Sequence, residues 1–202
     1  MENSLQKKLE QAVWVARSLY DRGKTSGSSA NLSLLHEGAV YISASGTCFG
    51  NLSVADFACV ALDGKPLDQR KASKEFELHR ALYQKNPAIQ AVIHTHSTYA
   101  TLWSCLPHLD AKNAIPPYTP YLGMKLGCVA LTPYAAPGSE ELFRLFRESL
   151  CESNGYLLKN HGPIVGAPSM MEAYFALEEL EESARIAWML RNEPEREQML
   201  IH

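Results

Sequence analysis

The sequence predicts an α/β fold: a mixed, mainly antiparallel central sheet flanked by helices in a three-layer sandwich. Three observations predict it. Segments with helical apolar spacing alternate with short apolar runs suited to buried strands. Several strand segments follow one another through turns short enough for hairpins, which calls for antiparallel pairs. The 202 residues, 46% hydrophobic and 20% charged, are enough for one domain with a sizeable core. No internal repeat or low-complexity linker divides residues 1–202, so the whole chain is read as one domain.

Taken in order, Leu5, Leu9, Val13, Ala16 and Tyr20 form an apolar stripe at helical spacing, in a helix ending at Asp21-Arg22-Gly23. The loop "KTSGSS" leads to the strand "ANLSLL". A turn at His36-Glu37-Gly38 returns the chain as "EGAVYIS", and "FACVAL" is a third strand closed by Asp63-Gly64. "SKEFELHRALYQ" reads as a helix stopping before Asn86-Pro87. "AVIHTH" is the next strand, and "TYATLWSC" returns as a helix. "CVALT" and "GYLLK" are short buried strands, separated by the helix "GSEELFRLFRESL" with Ser139 as its N-cap. The last long helix begins at "SMME", where Ser169 and Glu172 have capping-box spacing.

The balance of charges narrows the function. A formal net charge of −3 provides no basic footprint for a nucleic-acid partner. No run approaches membrane-spanning length, and "MENSLQKKLEQAVW" has no apolar signal core. Cys48, Cys59, Cys105, Cys128 and Cys151 are scattered, odd in number and form no C-x-x-C pair. A reduced, cytoplasmic protein is therefore expected rather than a disulfide scaffold.

The chemistry-bearing residues begin with "AVIHTHSTYA". Alternate residues on a strand share a face, so His94 and His96 point one way and Thr95 the other. Two imidazoles at that spacing can bind one metal ion if further ligands come from elsewhere; buried, hydrogen-bonded histidines are the plainer alternative. His161, in "LLKNHGPIVG", follows a buried strand and precedes a tight turn, a good position for reaching a cleft. Glu75 opens a helix behind Ser73, where a carboxylate is also favoured simply by the helix dipole. "TSGSSAN" and "SASG", with Ser73, could offer hydroxyls and N–H groups to a phosphate, or serve only as turns.

Together these segments resemble the class II aldolase family, which includes L-fuculose-phosphate aldolase, L-ribulose-phosphate 4-epimerase and the adducin head. The resemblance runs from "GSSANLS" through "NHG" into the last helix. It implies one zinc ion per chain held by His94, His96 and His161, with Glu75 as the acid/base residue that also touches the metal. It implies a phosphate pocket at Ser28 and Asn31, Ser45 and Gly46, and Ser73 with Lys74, and a homo-tetramer with active sites at subunit interfaces.

Lys74 stands where L-fuculose-phosphate aldolase has a second serine. "KASKEFELH" and "IPPYTPYLGMKLG", with Thr119-Pro120-Tyr121, look most like the 3-oxo-tetronate 4-phosphate decarboxylases. The C-terminal "REQMLIH" carries no tyrosine of the kind some aldolases use. This resemblance implies zinc-dependent loss of carbon dioxide from a sugar-acid phosphate through an enediolate, yielding dihydroxyacetone phosphate. Tyr121 is the candidate proton donor, or else a packing residue beside prolines. Lys74 is read as a charge beside the phosphate or carboxylate, a surface lysine, or a Schiff-base lysine, the last made redundant by a zinc electrophile. Alternatives are a sugar-phosphate aldolase or 4-epimerase, a metal-dependent hydrolase, and a non-catalytic adducin-like binding module.

Overall fold

The computed structural model describes residues 2–201, with side chains from residue 4. The helices are α1 (Glu2–Asp21), α2 (Phe76–Lys85), α3 (Thr98–Ser104), α4 (Tyr121–Leu126), α5 (Glu140–Ser149) and α6 (Met170–Leu190). The strands are β1 (Asn31–His36), β2 (Ala39–Ser43), β3 (Phe57–Ala61), β4 (Ala91–His94), β5 (Val129–Thr132), β6 (Gly155–Leu158) and β7 (Gly162–Ala167). They form a seven-stranded sheet in the order β3-β2-β1-β4-β7-β6-β5. β1 pairs antiparallel with β2 and β4, β2 with β3, and β6 with β7, while β5 and β6 run parallel. This is the mixed, mainly antiparallel sheet with flanking helices that the sequence predicts.

The chain divides into two compact units, residues 1–95 with 166–174 and residues 96–165 with 175–202. In the first, α1 packs on β1. Its buried face is Leu9, Ala12, Val15, Ala16 and Leu19. The expected stripe is therefore rotated: Leu9 and Ala16 belong to it, but Tyr20 is largely exposed and its ring lies over Gly50 instead. Ala12, Val15 and Leu19 share one helical face with Leu9 and Ala16, and that row is the buried one. The helix ends as expected. Gly23 takes a positive φ of 67°, its N–H donates to the Tyr20 carbonyl and that of Lys24 to Leu19, a Schellman stop. The β1–β2 hairpin turns on Glu37 (φ 50°) and Gly38 (φ 80°), the two left-handed residues of a type I′ turn.

In the second unit α3 packs on β6 and α5 on β5. Ser139 caps α5 by accepting the Leu142 N–H. The buried Glu181 carboxylate accepts the N–H groups of Tyr99 and Ala100, so it holds the start of α3, which follows the histidine segment. In the first unit, at the foot of α6, Ser169 accepts the Glu172 N–H and donates to its carboxylate.

Two elements were not anticipated. β7 reads "GPIVGA", and its proline and glycines argue against a strand in sequence terms. Gly166 is required there because a Cβ would come 2.9 Å from Ile89 Cδ1 in the packed core. α4 is only six residues long, too short to show a helical period.

Candidate active site

β1 and β4 pair with Asn31 directly opposite His94, so the two side chains leave the sheet on one face. Glu75 stands at the N-cap position of α2, its backbone N–H bonded to Ser73 Oγ at 3.3 Å. From there its carboxylate, in a residue only 3% exposed, meets both partners. Asn31 Nδ2 donates to Glu75 Oε2 at 3.0 Å, and His94 Nε2 lies 3.4 Å from the same oxygen.

A buried polar array continues behind Asn31. His79, one turn along α2 from Glu75, meets Asn31 Oδ1 through Nε2 and Ser33 Oγ through Nδ1. Ser33 Oγ also meets the Tyr83 hydroxyl at 2.7 Å. Burial drives the His79 pKa down to about 3, against the opposing effect of the Glu75 charge, so its ring is neutral. Burial likewise pushes the Tyr83 phenol well above its ordinary range. Sequence reading overlooked Ser33, His79 and Tyr83, though a signal existed. Asn31 and Ser33 alternate on one strand face, while Glu75, His79 and Tyr83 lie at i, i+4 and i+8 on one helix face.

β4 ends at His94, so His96 lies beyond the strand rather than within it. His96 and His161 pack edge to face with centroids 4.7 Å apart. His161 sits in the three-residue connection from Leu158 to Gly162, where Asn160 takes a φ of 54°. Asparagine tolerates that left-handed conformation, which gives the first residue of "NHG" a structural task. The His161 carbonyl accepts from Thr101 Oγ1 at 3.2 Å.

The ligand nitrogens of His94, His96 and His161 all lie within 4.8 Å of one another. Two ligands each 2.0–2.1 Å from a tetrahedral ion are about 3.3 Å apart, so this cluster is close to a metal-binding arrangement. Three imidazoles and an adjacent carboxylate also suit a zinc-like ion chemically. The donor set therefore fits a divalent metal, with His94, His96 and His161 as ligands.

Apart from Asn31, which opens β1, the phosphate candidates occupy loops of the first unit. An isolated bridge pairs Ala44 with Ala72, and the Ser45 N–H donates to the Lys71 carbonyl at 2.8 Å. This sets Ser45-Gly46 beside Ser73-Lys74. Ser28, Ser45, Gly46 and Lys74 are exposed, Ser73 is half-buried, and the Asn31 carboxamide is turned to Glu75 and His79. Gly46 has a φ of 84°, a turn conformation glycine adopts without strain. Tyr121 opens α4 and is 58% exposed.

A cavity of about 610 Å³, lined in part by Trp103, Leu106, Tyr118, Arg191 and Arg196, contains none of these candidates. Its two guanidinium groups donate to the carbonyls of Trp188 and Arg191. No helix among the described residues is long and apolar enough to cross a membrane.

Residues 10–188 match the model of the Class II Aldolase and Adducin N-terminal domain. The chain belongs to the class II aldolase and adducin family. Within it, the chain is 42% identical over 186 residues to a 3-oxo-tetronate 4-phosphate decarboxylase of Escherichia coli K12, covering 92% of this chain and 88% of the relative. It is 33% identical over 184 residues to an L-fuculose phosphate aldolase of Methanococcus maripaludis, covering 91% and 98%. The crystal structure of YgbL from Escherichia coli superposes with a TM-score of 0.90 at 40% identity, covering 94% and 92% of the two chains. Decarboxylases and aldolases of this family are both carbon–carbon lyases.

His94→Ala should lower affinity for zinc more than about tenfold while leaving the circular dichroism spectrum unchanged. Competition with a chromophoric chelator measures this, and unaltered affinity would remove His94 from the ligand set.

The neutral His79 predicts an acid sensitivity. Its pKa is depressed in the folded chain, from an unfolded value of 6.5 to about 3. The folded state therefore suffers no penalty above pH 6.5. As pH falls toward 3 the unfolded chain takes up the proton first, and stability drops by about 1.4 kcal/mol per pH unit. Denaturant titrations at pH 7 and pH 5 should show wild type losing about 2 kcal/mol more than His79→Gln over that interval. Equal losses would contradict the buried neutral imidazole.

Proposed function

We propose that this chain is a zinc-dependent decarboxylase of 3-oxo-tetronate 4-phosphate, forming carbon dioxide and dihydroxyacetone phosphate. The observation that carries the proposal is the buried Glu75 carboxylate, fixed by Asn31 and 3.4 Å from His94 of the three-histidine cluster. Lys74 and Thr119-Pro120-Tyr121, with 42% identity to a decarboxylase of that specificity, favour this reaction over other family chemistry.

A metal ion held by His94, His96 and His161 supplies Lewis-acid stabilisation of negative charge on the substrate. Everything else falls to the chain. The Ser28, Ser45-Gly46 and Ser73-Lys74 loops bind the phosphate, giving binding energy remote from the reacting bond. Lys74 adds a positive charge for the phosphate or the departing carboxylate. Cleavage of the C1–C2 bond releases carbon dioxide and leaves the electron pair on C2, delocalised into the neighbouring ketone as an enediolate. Glu75 holds the hydroxyl proton at its carboxylate, and Tyr121 delivers the proton that forms the new C–H bond.

The chain acts as a single domain, residues 1–202, in a cytoplasmic homo-tetramer. The exposed Trp14, Tyr121, Met124 and Tyr134 side chains are available for burial against other copies. A second reading, an L-fuculose-phosphate aldolase, is favoured by 33% identity to such an enzyme over nearly the whole chain.

Product analysis with a panel of sugar and sugar-acid phosphates separates the two. The expected result is carbon dioxide and dihydroxyacetone phosphate from the keto acid, and no aldehyde from L-fuculose phosphate. Aldehyde release at comparable rate, without carbon dioxide, would replace the decarboxylase with the aldolase. Glu75→Gln should keep zinc and lose about 10²- to 10⁴-fold in turnover, since an amide cannot exchange a proton at neutral pH. Near-normal turnover would remove Glu75 from the chemistry.

A further inference from the structure

We infer that His79 is a positioning residue that sets the orientation of the Glu75 carboxylate through Asn31, with Ser33 and Tyr83 fixing its tautomer. The inference rests on Glu75 being the acid/base residue of the proposed reaction.

The hydrogen-bond directions follow from one end. A carboxylate only accepts, so Asn31 must present its Nδ2 amide protons to Glu75 Oε2. That turns Asn31 Oδ1 toward His79, so His79 Nε2 carries the proton and donates. A neutral imidazole has one N–H, which makes Nδ1 the acceptor and Ser33 the donor at 2.8 Å. Ser33 has a single hydroxyl proton, already directed to His79. The Tyr83 hydroxyl must therefore donate to Ser33 Oγ at 2.7 Å. Each member has one consistent role, and every arrow points toward Glu75.

All five residues are buried, with Ser33 and His79 fully so. A purely structural core could be filled there by apolar side chains, often at no loss of stability. What an apolar core could not do is hold Asn31 in one of its two amide orientations. With the carboxamide reversed, its carbonyl oxygen would face the carboxylate, and the like partial charges would push Glu75 away. The i, i+4, i+8 placement on α2 beside Asn31 and Ser33 on β1 delivers this constraint from two rigid elements.

The test compares His79→Leu, His79→Gln and Ser33→Ala with wild type in the zinc-loaded protein. His79→Leu should lower kcat about 10- to 100-fold, as expected for a misplaced catalytic group, while KM and zinc per chain hold. His79→Gln keeps one donor and one acceptor and should recover most of that loss. If His79→Leu does not fold, Ser33→Ala carries the test, with kcat expected to fall about 3- to 10-fold as the tautomer is freed. Unchanged kcat in the folded variants, or a loss that tracks zinc content, would overturn the inference.

A substrate-independent readout separates this inference from the reaction itself. Nitrogen-15 NMR of labelled histidine in wild type should show His79 neutral with its proton on Nε2. A proton on Nδ1 would reverse the array and overturn the inference whatever the substrate proves to be. An Nε2 proton in a protein inert toward the keto acid would support the array and count only against the decarboxylase assignment.

Discussion

Burying a carboxylate is costly unless hydrogen bonds and opposite charge replace its water, and Glu75 is almost completely buried. The arrangement around it follows from that requirement. α2 must begin where it does so that Glu75 leaves its N-cap position toward the sheet. β1 and β4 must pair with Asn31 opposite His94 so that an amide and an imidazole reach one carboxylate oxygen. Asn31 in turn needs a partner for its carbonyl, and the partner it has is an imidazole that burial keeps neutral. A single desolvated charge thus accounts for the polar face of α2 and for two polar residues inside a strand that is otherwise Leu-rich.

The same economy explains why lyases of this family can differ in reaction while sharing a fold. In the proposed mechanism the histidine cluster and Glu75 manage charge and a proton, needs common to decarboxylation and aldol cleavage. In the proposed reaction, discrimination would fall to exposed residues such as Lys74 and Tyr121, which lie outside the packed core.

Much of this was legible in the sequence because periodicity and turn chemistry are local. The type I′ turn at Glu37-Gly38, the Gly23 helix stop and the Ser139 cap are each set by two to four neighbouring residues. The candidate metal ligands stood out because histidines clustered at strand ends have few structural uses. The polar array did not stand out, because Ser33, His79 and Tyr83 look like ordinary members of an amphipathic strand and helix until the two elements are brought together. β7 was hidden by Pro163 and two glycines, whose presence reflects close packing such as that of Gly166 against Ile89. The α1 face was misjudged because two apolar rows overlap on that helix, and only the packed sheet shows which is used.

The most direct test of the account is decarboxylation of 3-oxo-tetronate 4-phosphate in deuterated water. Under the proposed mechanism, protonation inside the site should deliver one deuteron to one face of the enediolate. The dihydroxyacetone phosphate should then carry a single non-exchangeable deuterium, of one configuration, at the carbon that lost the carboxylate. A racemic label would mean that protonation occurs free in solution, and absence of label with no carbon dioxide released would mean that the bond is never broken; either result would contradict the account.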